Sequence, residues 1–132
     1  VNLPALVLTL CLVTVSAHAA EGIATYYSTK SCQREGTSGI FTANGERYSE
    51  RAMTCATRSR EFGTRYKVTN LDTGRSIIVR QNDFGPGRGP AKRGVIIDLT
   101  PAAFDAIGGK RGITKRGVEW GEARVTVTKM DA

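Results

Sequence analysis

The chain has 132 residues, a formal charge of +7 at neutral pH and one histidine, His18. Its length supports a single domain with a genuine core. Beyond His18 there is no imidazole, which excludes Cys–His or Ser–His catalysis and histidine-ligated zinc from the rest of the chain.

Residues 1–19, "VNLPALVLTLCLVTVSAHA", are uncharged and largely apolar. They end in Ala17-His18-Ala19, the small-x-small signature of a secretory signal peptide, with maturation expected near Ala20 or Glu21. A membrane span would want about 20 apolar residues, and this stretch is short and broken by polar ones. Leu10 before Cys11 is bulky for a lipoprotein cleavage site, so a soluble exported protein, periplasmic or secreted, is expected. The positive charge belongs to the remainder. A basic exported domain suits a polyanionic surface such as cell-wall polymers or lipid head groups. Nucleic acid is set aside, because export and the lack of a helical basic motif count against it. The plain alternative is a solvated basic surface that aids solubility.

In chain order, "GIATYYS" (22–28) has the β-branched and aromatic content of a strand. Residues 29–45 read as a long surface loop pinned by Cys32. "TRYKVTN" (64–70) and "RSIIVRQN" (75–82) are strands joined by "LDTG", where Gly74 is free to take φ > 0. A basic loop carrying Arg88, Lys92 and Arg93 leads to a strand at 94–98, "GVIID". Thr100 is the N-cap of a helix with Pro101 at its first position and Gly108 at its end. "ARVTVTK" (123–129) alternates Ala123, Val125 and Val127 against Arg124, Thr126 and Thr128. Short strands with a single small helix predict a small β-barrel. In an oxidising compartment, Cys32 and Cys55 are an even pair and are expected to form a disulfide.

The chemistry centres on "QNDFGPG". Asp83 and Asp98 end two strand-like runs on either side of a glycine- and proline-rich loop. Asp83 either takes backbone N–H bonds in a turn or does acid–base work. Asp98, just before the Thr100 cap, has a structural role near a helix N-terminus as its alternative. Glu46, beside Gly45, has an exposed turn position as its own. Tyr26, Tyr27, Tyr48 and Trp120 offer flat faces for sugar rings, against the plainer reading of core or barrel rim.

The segments "GIATYYS", "TANGERY", "EFGTRYKVTNLDTGRSIIVRQNDFGP", "GVIIDLTPAAFDAIG" and "ARVTVTK" occur in one order. Together they resemble the rare lipoprotein A (RlpA) family over about residues 22–129. The resemblance implies a mainly β fold, a six-stranded double-psi β-barrel with one or two short helices after a signal peptide. It also implies a cell-wall role, some members being lytic transglycosylases that cleave peptidoglycan. A non-catalytic expansin-like wall-binding barrel and a barwin-like inhibitor are the alternatives. Carried over by motif, the site falls on Glu46 of "TANGE", on Asp83 of a variant "NDRGP" in which Phe84 replaces arginine, and on Thr57, where the family's "TAAH" histidine is absent. Asp98 matches a polar position of related barrels. The reading implied is Asp83, Glu46 and Asp98 as the catalytic set, with Thr57, Tyr26, Tyr48, Phe84, Arg88 and Trp120 on the substrate. No metal or cofactor is expected. The partner is a peptidoglycan glycan strand or another anionic wall polysaccharide, and the protein is expected to be a monomer with no membrane span after processing.

Overall fold

The hairpin written into "LDTG" forms as its chemistry requires. Gly74 takes φ +73°, its N–H bonds the Asn70 carbonyl at 2.8 Å, and the Asn70 N–H bonds the Arg75 carbonyl at 2.9 Å. The strands on either side are β3 (Arg65–Asn70) and β4 (Ser76–Phe84). They belong to a computed structural model that describes residues 2–5, 7, 18–34 and 40–131. Most of the apolar leader expected over 1–19 lies outside the described residues, as do residues 35–39 of the expected loop.

The remaining barrel strands are β1 (Ala19–Tyr26), β2 (Thr54–Thr57), β5 (Val95–Leu99) and β8 (Glu122–Lys129). A two-residue pair, β6 (Gly112–Ile113) and β7 (Glu119–Trp120), makes a separate small sheet. The barrel closes in the order β1-β5-β2-β4-β3-β8. Two of its pairings are parallel, β1 with β5 and β2 with β4, and the others are antiparallel. This is the closed six-stranded barrel that the sequence implies. Full closure removes exposed strand edges.

The described residues hold three short helices, α1 (Thr29–Arg34), α2 (Arg88–Lys92) and α3 (Pro101–Ala106), where one or two were expected. α1 and α2 fall in segments read as loops: α1 is only six residues long, and its cap, Ser28 Oγ accepting from the Ser31 N–H at 3.1 Å, is followed by no apolar stripe, while α2 has no side-chain cap at all. α3 does: Thr100 Oγ1 accepts from the Ala103 N–H at 3.3 Å and donates to the Ala52 carbonyl at 2.6 Å. Its Phe104, fully buried, packs with Ile97, Leu99, Val68, Val79 and Val125 in the barrel interior. Burying such side chains stabilises the fold by about 1.5–3 kcal/mol each.

Cys55 belongs to this apolar cluster, and burial pushes its thiol up to about 12, with the Asp98 charge adding to the effect. Cys32, on α1, lines a surface cleft together with Ala56, the neighbour of Cys55. Side chains of adjacent strand residues point to opposite faces, so Cys55 looks inward while Ala56 faces the cleft. The expected disulfide is therefore not formed.

Candidate active-site cleft

The register of the sheet builds the site. Ala56 of β2 is paired on one side with Asp83 of β4 and on the other with Asp98 of β5. Asp98 is paired in turn with Thr25 of β1. Thr25, Asp98, Ala56 and Asp83 thus form one row across four neighbouring strands, with the smallest side chain between the two acids. Two strand spacings put the aspartate backbones about 10 Å apart. Above Ala56 the chain must stay small. A Cβ on Gly85, whose φ is +156°, would come within 2.8 Å of Asp98 Oδ2 and 3.4 Å of the Ala56 Cβ.

The result is a cleft of about 230 Å³ lined by Asp83, Asp98, Tyr27, Tyr48, Phe41 and Phe84 among others. Two acids on an aromatic-walled floor suit a ligand with flat apolar faces and polar edges. Asp83 Oδ1 accepts from the backbone N–H groups of Phe84 at 2.9 Å and Ala43 at 3.1 Å. These two bonds leave Oδ2 for the cleft. Asp98 Oδ1 accepts from the Thr25 hydroxyl, which fixes that carboxylate against β1.

Tyr27 and Tyr48 form the opposite wall. Their rings stack at 4.9 Å between centroids, and the Tyr48 hydroxyl donates to the Tyr27 carbonyl. Burial raises both phenols well above the ordinary tyrosine range, helped for Tyr27 by the negative charges of Asp83 and Asp98. Both are therefore neutral donors at any working pH. The Tyr27 hydroxyl is buried and has no partner among the described residues. An unpaired buried hydroxyl is costly, and this one borders the cleft.

Other sequence-picked residues stand apart. The Glu46 carboxylate lies outside the lining and is held by a bidentate Arg80 guanidinium at 2.6 and 2.8 Å, with Asn44 at 2.8 Å and Asn82 at 3.2 Å. These donors, Arg80 foremost, lower its pKa to about 2, so Glu46 is an anion at neutral pH and cannot donate a proton. Its location explains a different use: it ties down the turn whose Ala43 N–H holds Asp83. Thr57 is buried, and its hydroxyl accepts from the Ser59 N–H at 3.2 Å. Tyr26 turns from the central cleft to pack on Phe104 at 5.1 Å and under Arg111 at 5.7 Å. Trp120 covers Gly112, and Arg88 opens α2 in solvent. Phe84 reaches the cleft edge, its ring tilted against Phe62 at 4.6 Å between centroids, with the Arg60 guanidinium 5.0 Å from its centroid.

Sequence reasoning did not single out Ala56, Gly85, Phe41 or Arg80 as site residues. Tyr27 was legible as a sugar-stacking ring, but not as a buried hydroxyl that feels the charge of both acids.

A family model described as lytic transglycolase matches residues 18–127. The chain belongs to that family. Within the lytic transglycolase family it is similar to the probable endolytic peptidoglycan transglycosylase RlpA of Nostoc sp., 47% identical over 88 residues, 67% of this chain and 22% of that protein. The endolytic peptidoglycan transglycosylase RlpA of Pseudomonas aeruginosa is 38% identical over 115 residues, 87% of this chain and 28% of that protein. The protein of the same name from Pasteurella multocida is 37% identical over 116 residues, 88% and 34% of the two chains. The chain therefore spans between 22% and 34% of the length of these relatives. Among the described residues, no helix is long and apolar enough to cross a membrane.

Proposed function

We propose that this barrel acts on peptidoglycan outside the cytoplasm, in the periplasm or medium, as a lytic transglycosylase that cleaves MurNAc–GlcNAc bonds. The observation that carries the reading is the Asp83–Ala56–Asp98 row on the floor of an aromatic-walled cleft. The names of the relatives point the same way.

Asp83 acts from its protonated form, giving the Oδ2 proton to the glycosidic oxygen as the C1–O bond breaks. The C6 hydroxyl of the same sugar then attacks C1, and its proton returns to Asp83. The product is a 1,6-anhydro sugar, the carboxyl ends as it began, and no water is consumed. Asp98, held by Thr25, places negative charge across the cleft, where it stabilises the positive charge developing at C1. Tyr27 donates its unpaired hydroxyl to the bound glycan. Glu46 acts through the turn it fixes, as a positioning residue for Asp83. The apolar leader supplies export, and the working unit is a monomer.

A second reading has its own observation. Glu46 is locked as an anion outside the lining, and Thr57, at the family's histidine position, is turned into a backbone bond. This favours a wall-binding barrel without catalysis. Incubation with peptide-stripped glycan strands, followed by mass spectrometry for anhydro-muropeptides, separates the two. Asn at position 83 still offers Oδ1 to the Ala43 and Phe84 amides, so Asp83→Asn is expected to fold and to lose all product. Product formation unchanged in Asp83→Asn refutes the assignment of the acid. Strand binding by the native protein with no product at all establishes the second reading.

A further inference from the structure

Phe84 borders two hollows. One is the central cleft, and the other is an adjoining groove of about 210 Å³ lined by Arg58, Arg60, Phe84, Gly85 and Pro86. Five salt bridges occur among the described residues, and they engage Arg80, Arg93, Arg111, Arg124 and Lys129. Arg58 and Arg60 take part in none of them. Two guanidiniums without counter-charges therefore stand beside an aromatic face that is 42% exposed.

The segment that bears them is anchored. The Ser59 N–H bonds Thr57 Oγ1 at 3.2 Å, and the Ser59 carbonyl accepts from Gln81 Nε2 at 2.8 Å. Arg60 is oriented by its place over the Phe84 ring, and Phe62 packs against that ring with centroids 4.6 Å apart. Anchoring matters, because a pre-positioned planar guanidinium loses less freedom when it grips an anion.

The opposite end of the groove has the reverse charge. There the central cleft continues past Tyr27 and Gly87 into a hollow that includes Asp98 and Glu119, with no basic residue in its lining. A negative group on a bound polymer is attracted to the arginine end and repelled from the Glu119 end.

We propose that Arg58 and Arg60, the latter ordered against the Phe84 ring, form a subsite for a carboxylate carried on a sugar ring. Resting on the reading of a glycan substrate given above, the occupant is the lactyl carboxylate of a MurNAc residue next to the bond at Asp83. The subsite sets the direction in which the strand lies and distinguishes acidic wall glycan from neutral chitin-type polymers. Thr57 serves it as a positioning residue, through the turn that presents Arg58 and Arg60.

The test measures binding, apart from cleavage, in an Asp83→Asn background. Calorimetry compares a MurNAc–GlcNAc tetrasaccharide with free lactyl carboxylates against a GlcNAc tetrasaccharide of the same length. The acidic sugar is expected to bind about tenfold or more tightly, as a charge-assisted contact would give. Added salt should erode the advantage. It should disappear in Arg58→Gln/Arg60→Gln, and Arg60→Lys should recover only part of it, since an ammonium cannot match a planar fork. Equal binding of the two sugars, no binding of either, or a preference that survives the double substitution overturns the proposal. Anhydro products formed by native protein with no carboxylate preference would reject the subsite and leave the transglycosylase reading standing. A preference without any product would do the opposite.

Discussion

Replacing Glu46 by glutamine tests how the site is held together. In the folded chain Glu46 titrates at about 2, against 4.5 for an unperturbed glutamate. At 1.36 kcal/mol for each tenfold change in proton affinity, that difference sets a ceiling of roughly 3 kcal/mol. The two side chains of the Glu46–Arg80 pair are 40% and 41% exposed, and water screens such pairs heavily. The expected loss in Glu46→Gln is therefore about 1 kcal/mol at pH 7. Its pH dependence has a definite sign. The folded state binds this proton less readily than the unfolded chain, so the contribution is complete above about pH 5 and is lost as pH falls toward 2. Urea denaturation of native and variant protein should give midpoints that differ at pH 7 and converge near pH 2. Catalysis gives a second readout. A positioning residue lowers kcat without altering the shape of the pH profile, whereas a residue that exchanges protons removes one limb of it. A stability difference that is constant with pH, or a vanished limb in Glu46→Gln, would refute this account.

Gly85→Ala forces a side chain into a backbone conformation with φ +156° and places its Cβ 2.8 Å from Asp98 Oδ2. A stability loss of about 1–3 kcal/mol by denaturant titration should accompany abolished glycan cleavage. Ala56→Val adds two methyl groups between the aspartates and should weaken glycan binding by about tenfold or more in calorimetry, because the cleft holds only about 230 Å³. Tyr27→Phe removes a hydroxyl that has no partner among the described residues. Thermal unfolding should therefore be unchanged or slightly improved, while affinity for the glycan falls by roughly fivefold to tenfold. A destabilised Tyr27→Phe protein with native affinity would mean that the hydroxyl serves the fold.

The parts that were legible in the sequence are those whose causes are local. The 71–74 turn needs only Gly74, α3 needs Thr100 and Pro101, and the last strand needs its alternation. β2 was not legible: "TCAT" is four residues long, and what makes it a strand is its pairing with β4 and β5. The same holds for the choice between adjacent tyrosines. A register irregularity between Ile23 and Ala24 helps decide which of Tyr26 and Tyr27 faces the cleft at the end of β1, and residue types carry no trace of it. Glu46 was visible as a motif glutamate, but its partner lies 34 positions away. Only the folded chain shows that this carboxylate is an anchor. The cysteines made a plausible pair by count alone, but Cys55 packs into the barrel core while Cys32, on α1, lines the cleft.

Acids drew attention in the sequence, yet the cleft exists because of residues with almost no side chain. Ala56 and Gly85 lie between the two carboxylates, and any enlargement at either position meets Asp98 or fills the floor. Asp98 cannot simply swing aside, since Thr25 holds its other oxygen. Asp83 is likewise fixed through one oxygen by two backbone amides. Each acid is thus pinned through one oxygen, and the separation of the two is set by strand spacing, not by side-chain rotamers. Such a site loses function by becoming crowded before it loses function by becoming disordered. Substitutions at Ala56 or Gly85 should therefore uncouple activity from folding more sharply than substitutions in the Phe104 core.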